Sequence, residues 1–586
     1  MKHLKKVIAL VLTLVTAFAM ATPAFADDPE PPAYDTPITV TGLGTGDTVK
    51  FYQVIEWVGE TTDDSDVAGW KAVSGYESVL TKAKLTEILV GTKADPTANP
   101  PVEAKDPTGI TSEIAGQLAK LATGGVDGTV SGTTATLNNA APGMWMALVT
   151  PADANTIYNP VFVSSDYTAG GATVGMGDSY NGDAVAKKST LTLTKTAANA
   201  QDYNSDNAKT TAVGDTVNFT VTTTIPGYGD VYTNPHFVVS DTLTALKLDQ
   251  NSVAVTGLQK GADKDYTVET SDTGYTITFT EKYLKSLKTA TEVTITYNAE
   301  VTSAAANVIN EEDNEVKIEY SHNPNQQGDY DVKKDTTQHY TFSIDASGIG
   351  ESESEKIKGK KSSELVKVGV DAKGDPITET KTTSELGDPE KDYAQGPLAG
   401  ATFGLWKSTD SACEGDPFKT ASTTDDGRMN FAGLDAGTYY LKEISAPAGY
   451  VPDTTIHTVV ITATTKSVKV TEWWNGTDWV STKPASGTAK EVTYDTDILE
   501  SYKITIDGKT AAEYQFKNPA TATSTEINWE EAELIEHPFP LTNTQGTALP
   551  STGGMGTKIL YTIGGLMVVA GGVFLAAKKR MSTIEE

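Results

Sequence analysis

Three predicted strands carry a polar side chain where an apolar one is expected. Alternate residues of a strand share one face. By this rule the lysine of LTLTKT, the aspartate of HFVVSDTL and the asparagine of NEVKIEY each fall in the apolar row of their strand. These residues are Lys195, Asp241 and Asn314. A buried charge is costly unless it is paired or neutralised, so each of the three needs a partner in the core.

A lysine, an acid and an amide in one core could form an intramolecular isopeptide bond. An apolar core lowers the pKa of the lysine amine, which then becomes a neutral nucleophile. The same core raises the pKa of the acid, which can polarise the amide and move protons. Ammonia leaves, and a new amide joins two strands. The alternative is a register slip that turns Lys195 and Asn314 to solvent.

A second set of the same three residue types follows further along the chain. Glu443 shares a strand face with apolar residues in GTYYLKEISAPAGY, and Asn518 does so in EYQFKN. The first choice for the lysine is Lys367, which shares a face with Leu365 in SELVKV. The alternatives are Lys358, Lys360 and Lys361.

Both ends of the chain carry targeting signals. Residues 1–26 combine a basic start, a short apolar run and a small-x-small site at residues 24–26, which together are typical of a signal peptide. Near the other end, LPSTG precedes an apolar run at residues 559–577, long enough to cross a bilayer, and a basic cluster at residues 578–580. The motif residues are Leu549, Pro550, Ser551, Thr552 and Gly553.

Composition narrows the class of protein. The formal net charge of −31 disfavours binding to nucleic acid. The single cysteine, Cys413, excludes an internal disulfide framework. Short alternating segments rich in Thr and Val predict all-β sandwich domains, with two short helices at LTKAKLTEIL and SEIAGQLAKLA. The six histidines lack ligand spacing, so neither a metal site nor a cofactor is predicted.

These features divide the chain into six segments. We predict a signal peptide, an N-terminal domain, two further sandwiches, an extended and accessible spacer, and a sorting signal with a transmembrane helix and a basic tail. Their ranges are 1–26, 27–187, 188–335, 336–520, 521–548 and 549–586.

The quoted segments together resemble the shaft (major) pilins of Gram-positive bacteria, of the Spa type. YYLKEISAPAGY resembles their E-box, residues 191–324 resemble a CnaA-type domain, and the stretch from PLAGATFGLW to Asn518 resembles a CnaB-type domain. The resemblance implies tandem immunoglobulin-like sandwiches, with Asp241 and Glu443 as the acids that promote isopeptide bonds. The crosslinked residues that it implies are Lys195 with Asn314 and Lys367 with Asn518.

The resemblance also implies how copies would be joined. In that family a sortase cuts between the Thr and Gly of the sorting motif, here Thr552 and Gly553, and passes the new carbonyl end to a lysine of another copy. SYNGDAVAKKS is similar to the family's pilin motif, with Tyr180 as the aromatic and Lys188 as the linking lysine. The motif's tryptophan and proline are missing, and Lys187 is the alternative.

The leading hypothesis is therefore a non-enzymatic subunit of a covalent pilus shaft, secreted, held briefly in the membrane and then anchored in the cell wall. Its expected partners are a sortase, further copies of itself and peptidoglycan, with accessory pilins and host surface ligands as further candidates. One alternative is a monomeric wall-anchored adhesin whose sandwiches form a stalk. Another, an anchored hydrolase, is disfavoured because no nucleophile, histidine and acid pattern is present.

Overall fold

The computed structural model of the 586-residue chain describes most of its central part. The described residues are 37–59, 66–98, 100–153, 155–169, 172–174, 182–199, 209–306, 311–323, 328, 330–344, 364–371, 373, 397–425, 427–485, 490–515, 533–536, 539–546, 563, 565–570 and 573–575. Several features predicted from the sequence lie outside these residues: the signal peptide, Tyr180, the alternative lysines 358, 360 and 361, Asn518 and the LPSTG motif.

The chain divides into two compact units. The first consists of Met1–Ser189 with the short segments Asp230–Thr233 and Asn323–Gln327, and the second takes the remainder of the chain. Along the chain, the main part of the first unit ends at Ser189, next to the predicted domain boundary at residue 188.

Among its described residues, the first unit contains two main sheets and two helices. One sheet has the strand order β12-β1-β6-β5, and the other has the order β3-β2-β7-β9 with β4 also paired to β2. The elements are β1 (Ile38–Thr41), β2 (Thr48–Trp57), β3 (Trp70–Ala72), α1 (Lys82–Leu89), α2 (Ser112–Leu121), β4 (Val126–Asp127), β5 (Thr129–Ser131), β6 (Thr134–Leu137), β7 (Gly143–Thr150), β8 (Thr156–Tyr158), β9 (Val161–Ser165), β10 (Tyr167–Ala169), β11 (Ala172–Val174), β12 (Asp183–Val185) and β13 (Lys188–Thr190).

Both predicted helices are confirmed, and their sequences explain their bounds. The side chains of Thr81 and Thr111 accept hydrogen bonds from backbone N–H groups of the first turns of α1 and α2. Each helix buries an apolar stripe, with Leu85 in α1 and Leu118 in α2, in one cluster with Trp70. The helices therefore cover one side of this unit rather than forming a bundle.

The middle sandwich belongs to the second unit and consists of two five-stranded sheets. Their orders are β14-β15-β21-β17, with β18 also paired to β21, and β19-β20-β16-β22-β23. The elements are β14 (Leu193–Asn199), β15 (Thr216–Ile225), β16 (Phe237–Leu243), β17 (Leu246–Leu248), β18 (Ala254–Val255), β19 (Tyr266–Ser271), β20 (Gly274–Phe279), α3 (Glu281–Ser286), β21 (Thr291–Val301), a 3-10 turn (Ser303–Ala306), β22 (Glu311–Ser321) and β23 (Tyr330–Tyr340).

The third sandwich, also in the second unit, pairs a large antiparallel sheet with two short two-stranded sheets. The large sheet has the order β27-β26-β29-β30-β32-β33-β34, with β31 on β30, and the small sheets are β24-β28 and the parallel pair β25-β35. The strands are β24 (Phe342–Ile344), β25 (Leu365–Val370), β26 (Thr402–Lys407), β27 (Lys419–Ser422), β28 (Phe431–Leu434), β29 (Gly437–Ser445), β30 (Ile456–Trp474), β31 (Trp479–Val480), β32 (Glu491–Ile506), β33 (Lys509–Gln515), β34 (Glu533–Glu536) and β35 (Phe539–Thr544). The predicted all-β architecture of tandem sandwiches is confirmed.

Two predicted boundaries differ from the structure. Residue 335 lies inside β23, which pairs with β22 along its whole length and so extends the middle sandwich to Tyr340. The predicted accessible spacer, residues 521–548, contains β34 and β35. β35 buries Leu541 and Asn543 because it pairs with β25 inside the third sandwich. The acidic composition just before β35 concealed this strand.

β23 also joins the middle sandwich to the third. The ammonium of Lys334 lies 2.5 Å from a carboxylate oxygen of Glu315 and 2.7 Å from one of Glu472 on β30. The hydroxyl of Tyr340 accepts a hydrogen bond of 3.0 Å from the backbone N–H of Leu499 on β32. These contacts connect the middle and third sandwiches within the second unit.

Within the predicted transmembrane segment, residues 563, 565–570 and 573–575 are described, and all are helical and exposed. Among the residues for which the structure gives a placement, no helix is both long and apolar enough to cross a membrane.

Gly427 lies in close backbone contact with Lys367 of β25. Its φ is +75°, its carbonyl accepts the N–H of Lys367 at 2.7 Å, and an added Cβ would lie 2.5 Å from the carbonyl oxygen of Lys367. Gly508 has nearly the same φ, +76°, but open space around it. Gly427→Ala should destabilise the third sandwich by more than the about 1–2 kcal/mol that left-handed backbone costs, and Gly508→Ala by only that amount. Equal shifts of the urea-unfolding midpoint would contradict this.

Candidate functional site: two buried lysine, acid and amide clusters

The middle sandwich brings Lys195, Asp241 and Asn314 into contact. Lys195 comes from β14, and its side chain crosses to the facing sheet, where Asp241 on β16 and Asn314 on β22 lie on neighbouring strands. The Lys195 Nζ atom is 2.8 Å and 3.0 Å from the two carboxylate oxygens of Asp241 and 2.5 Å from Asn314 Oδ1. The strict burial alternation of β14 keeps Lys195 on the inner face, so the register slip does not occur.

Burial controls the charge states in this middle cluster. The side chains of Lys195 and Asp241 are fully shielded from solvent, and Asn314 is equally buried. Loss of solvation lowers the pKa of Lys195 and raises the pKa of Asp241, although each opposes the other's shift by attraction. Both shifts favour transfer of a proton from the amine to the acid, which leaves a neutral nucleophile beside a protonated carboxyl.

Two further residues complete the middle cluster, and the sequence analysis missed both. The hydroxyl of Tyr297 donates to Asp241 Oδ2 at 2.8 Å and accepts from Asn314 Nδ2 at 2.8 Å. Asp335 accepts the backbone N–H of Lys195 at 2.7 Å, and burial raises the pKa of Asp335 to about 6. Tyr297 could have been found as a hydroxyl-bearing residue in the buried row of β21, whereas Asp335 fell on a predicted domain boundary.

The third sandwich contains a second cluster around Glu443. Lys367 on β25 places its Nζ 3.2 Å from Glu443 Oε1 on β29, and both side chains are almost completely buried. Burial lowers the pKa of Lys367 against the opposing attraction of Glu443. Glu443 Oε2 accepts the backbone N–H of Asp453 at 2.6 Å.

The amide that meets Glu443 is Asn543. Its Nδ2 donates to Glu443 Oε2 at 2.7 Å, and its strand, β35, runs parallel to β25 with Gly369 opposite Asn543. The predicted amide, Asn518, lies outside the described residues. Asn543 shows the same sequence pattern as the other site residues, a polar side chain in an alternating row with the apolar Phe539 and Leu541. The sequence places it in the predicted spacer, which is why it was not predicted as a site residue.

The second cluster is poorly satisfied as it stands. Lys367 Nζ and Glu443 Oε1 form an ion pair of 3.2 Å without good hydrogen-bond geometry, and within the part of the chain that the structure describes Asn543 Oδ1 is buried without a hydrogen-bond partner. Leaving such a group unmet costs about 1–3 kcal/mol. An amine, an acid and an amide held in this way can condense, with loss of ammonia, to a single buried amide.

The candidate linking lysines lie at the surface of the first unit. Lys187 and Lys188 are both exposed, and Lys188 is the first residue of β13, which pairs with β8. The carboxylate of Asp47 lies close enough to Lys188 for electrostatic attraction.

Comparison with protein families matches two parts of the chain. Residues 389–474, which include Glu443, match the SpaA family, described as a prealbumin-like fold domain. Residues 542–581 match the LPXTG cell wall anchor motif, and this match starts inside β35.

Comparison with individual proteins gives a similar result. The chain is 26% identical over 491 residues to the trypsin-resistant surface T6 protein of Streptococcus pyogenes serotype M6, covering 76% of this chain and 81% of that protein. The solved structure of the T6 backbone pilin, which has a modular three-domain structure, superposes with a TM-score of 0.51 at 18% identity, covering 89% of this chain and all of that one. The chain thus contains a region that matches the SpaA prealbumin-like fold domain and an LPXTG cell wall anchor motif, and it is similar in sequence to the T6 surface protein and in fold to the T6 backbone pilin.

Proposed function

We propose that this chain is the shaft subunit of a covalent pilus, exported, joined to further copies by a sortase and attached to cell-wall peptidoglycan. The observation that carries the proposal is the pair of buried lysine, acid and amide clusters, one in each of two sandwiches, in a chain with a wall anchor motif. A shaft transmits tension through every subunit. With one cysteine in the chain, an internal disulfide cannot carry that tension.

Each internal crosslink forms by attack of the neutral lysine amine on the side-chain carbonyl carbon of the asparagine. A bond forms between Nζ and that carbon, and the bond from the carbon to Nδ2 breaks. One proton of the amine is transferred by way of the acid to the leaving nitrogen, so the products are an isopeptide amide and ammonia, and the acid is regenerated. The lowered pKa of Lys195 and the raised pKa of Asp241 support this assignment of roles.

In the third sandwich the acceptor we now propose is Asn543 rather than Asn518. Asn543 is buried and touches the same carboxylate that Lys367 approaches. The proposal rests on this shared contact with Glu443.

The two crosslinks would close long loops and tie strands that lie far apart along the chain. Lys195 and Asn314 are 119 residues apart, and β25 and β35 lie near the two ends of the third sandwich. Tension applied to the chain ends would then pass through covalent bonds and bypass the sheet hydrogen bonds between them. By analogy with a disulfide, closing a loop of this length stabilises the fold by about 4–5 kcal/mol.

The linkage between copies would use Lys188 and Thr552. After cleavage, the carbonyl of Thr552 is held on the sortase as a thioester, and an amine must accept it. A peptidoglycan amine would anchor the chain, whereas a lysine of another copy would extend the polymer. Lys188 is exposed at the end of the first unit, where it can enter the active site of another protein.

The acids should each control one crosslink. The intact mature chain is expected to be lighter than its sequence by two ammonia molecules. Asp241→Ala and Glu443→Ala should each restore one of them, because each acid serves a single cluster, while Glu269→Ala, an exposed acid on β19, should restore neither. Intact mass spectrometry measures this, and an unmodified mass for the unsubstituted chain would refute internal crosslinking.

The two candidate acceptors of the third sandwich can be told apart directly. Asn543→Ala should abolish the ammonia loss of that sandwich, whereas Asn518→Ala should leave it intact, because Asn543 is the amide that contacts Glu443. Tandem mass spectrometry of proteolytic fragments locates the branch. Loss of the crosslink in Asn518→Ala alone would return the assignment to Asn518.

The linking lysine should be decided by polymer formation in the native cell. Lys188→Ala is expected to abolish the SDS-resistant ladder of high-mass species on an immunoblot and to leave a single wall-linked band. Lys187→Ala, a matched change one residue away, should keep the ladder. A ladder that survives in the double variant would place the link elsewhere, and a single band from the unsubstituted chain would favour a monomeric adhesin.

A further inference from the structure

The middle cluster is a closed ring of hydrogen bonds with four members. Lys195 Nζ contacts Asp241, Asp241 Oδ2 accepts the hydroxyl of Tyr297, Tyr297 accepts from Asn314 Nδ2, and Asn314 Oδ1 accepts from Lys195 Nζ. The ring therefore contains one group, the hydroxyl of Tyr297, that has no role in a crosslink formed by a lysine, an acid and an amide alone. This hydroxyl contacts Asn314 Nδ2, the nitrogen that would leave as ammonia.

In the second cluster, which lies in the third sandwich, the acid contacts the amide nitrogen without an intervening hydroxyl. There the acid is a glutamate, and its Oε2 accepts directly from Asn543 Nδ2 at 2.7 Å. In the middle cluster the acid is an aspartate, one methylene shorter, and among the described residues no hydrogen bond joins Asp241 to Asn314. The hydroxyl of Tyr297 spans this gap, with 2.8 Å on either side.

We infer that Tyr297 is a catalytic residue of the middle sandwich, which carries a proton from Asp241 to the amide nitrogen of Asn314 as ammonia leaves. This inference rests on the proposed crosslinking of Lys195 to Asn314. It assigns a two-group relay, aspartate and tyrosine, to one sandwich and a single glutamate to the other.

The step balances through the ring. Lys195 Nζ attacks the side-chain carbon of Asn314 and gives up one proton to Asp241. The step starts from the neutral pair, in which Asp241 Oδ2 carries a proton, and both hydrogen bonds of Tyr297 reverse as the Asn314 carbon becomes tetrahedral and frees the lone pair of Nδ2. Asp241 then donates the Oδ2 proton to the oxygen of Tyr297, and Tyr297 donates its own proton to Asn314 Nδ2. The bond from the carbon to Nδ2 then breaks, ammonia departs, and Asp241 and Tyr297 are left as they began.

The surroundings of Tyr297 suit this role. Its ring is 1% exposed, stacks on Phe219 with centroids 5.0 Å apart, and meets Tyr275 edge-on at the same separation. These contacts fix the direction of the hydroxyl. Burial raises the pKa of Tyr297 well above its usual value, so the phenol keeps its proton and remains available as a donor.

The test uses the full mature chain and removes only the hydroxyl. Tyr297→Phe should slow the ammonia loss of the middle sandwich by at least about 10²-fold, the usual contribution of a general acid, and leave the loss in the third sandwich complete. Tyr266→Phe is the control, since it removes another buried hydroxyl of the same sandwich, one that accepts the N–H of Val255. The readouts are intact mass over time, fragment mapping of the Lys195–Asn314 branch and hydrogen exchange of the β14 and β15 amides to verify folding.

A second variant separates chemistry from packing. Asp241→Glu combined with Tyr297→Phe supplies a longer acid, as in the second cluster, and should recover crosslinking. If both variants fold and the double variant stays uncrosslinked, Tyr297 acts through packing and the relay is wrong. Crosslinking of Tyr297→Phe at the unsubstituted rate would also overturn the relay. Absence of the middle crosslink in the unsubstituted chain would instead refute the proposed crosslink itself.

Discussion

The burial of a lysine amine between two sheets is the interaction on which the second unit depends. A charged amine in such a place is expensive, and so is the carboxylate that faces it. Burial lowers the pKa of Lys195 and raises the pKa of Asp241, so both shifts run in the direction of the neutral pair, while the attraction between the two groups opposes them. The same lowering of the amine pKa favours the neutral form of Lys195, which is the form that would attack Asn314 in the proposed crosslink.

The first unit uses a buried acid in the opposite way. Burial alone would raise the pKa of Asp47, but hydrogen bonds from the Ala152 N–H, the Tyr158 hydroxyl and the Gly44 N–H outweigh it, and the pKa of Asp47 is lowered. The carboxylate therefore stays ionised and holds three chain segments together. Its neighbour Lys188 is exposed, which is the accessibility that the proposed linkage between copies would need.

The two clusters bring a lysine, an acid and an amide together through different strand arrangements. In the middle sandwich the acid and the amide lie on adjacent antiparallel strands, and the lysine arrives from the facing sheet. In the third, the lysine and the amide lie on the adjacent parallel strands β25 and β35, and the acid arrives from the large sheet. The side-chain length of the acid follows from this geometry, because Glu443 touches its amide directly while Asp241 reaches Asn314 only through Tyr297.

The sequence by itself determined what depends on local pattern: the sandwiches, the two helices, the end motifs, and the inner-face placement of Lys195, Asp241 and Asn314, because the two-residue period of a strand fixes which side chains share a face. Tertiary structure decided that Asn543 contacts Glu443 and that Tyr297 contacts the side-chain nitrogen of Asn314. Those contacts depend on strand order and on the register between strands distant along the chain. A local alternation carries no information about either, so the partner of each buried group emerges only when the sheets are assembled.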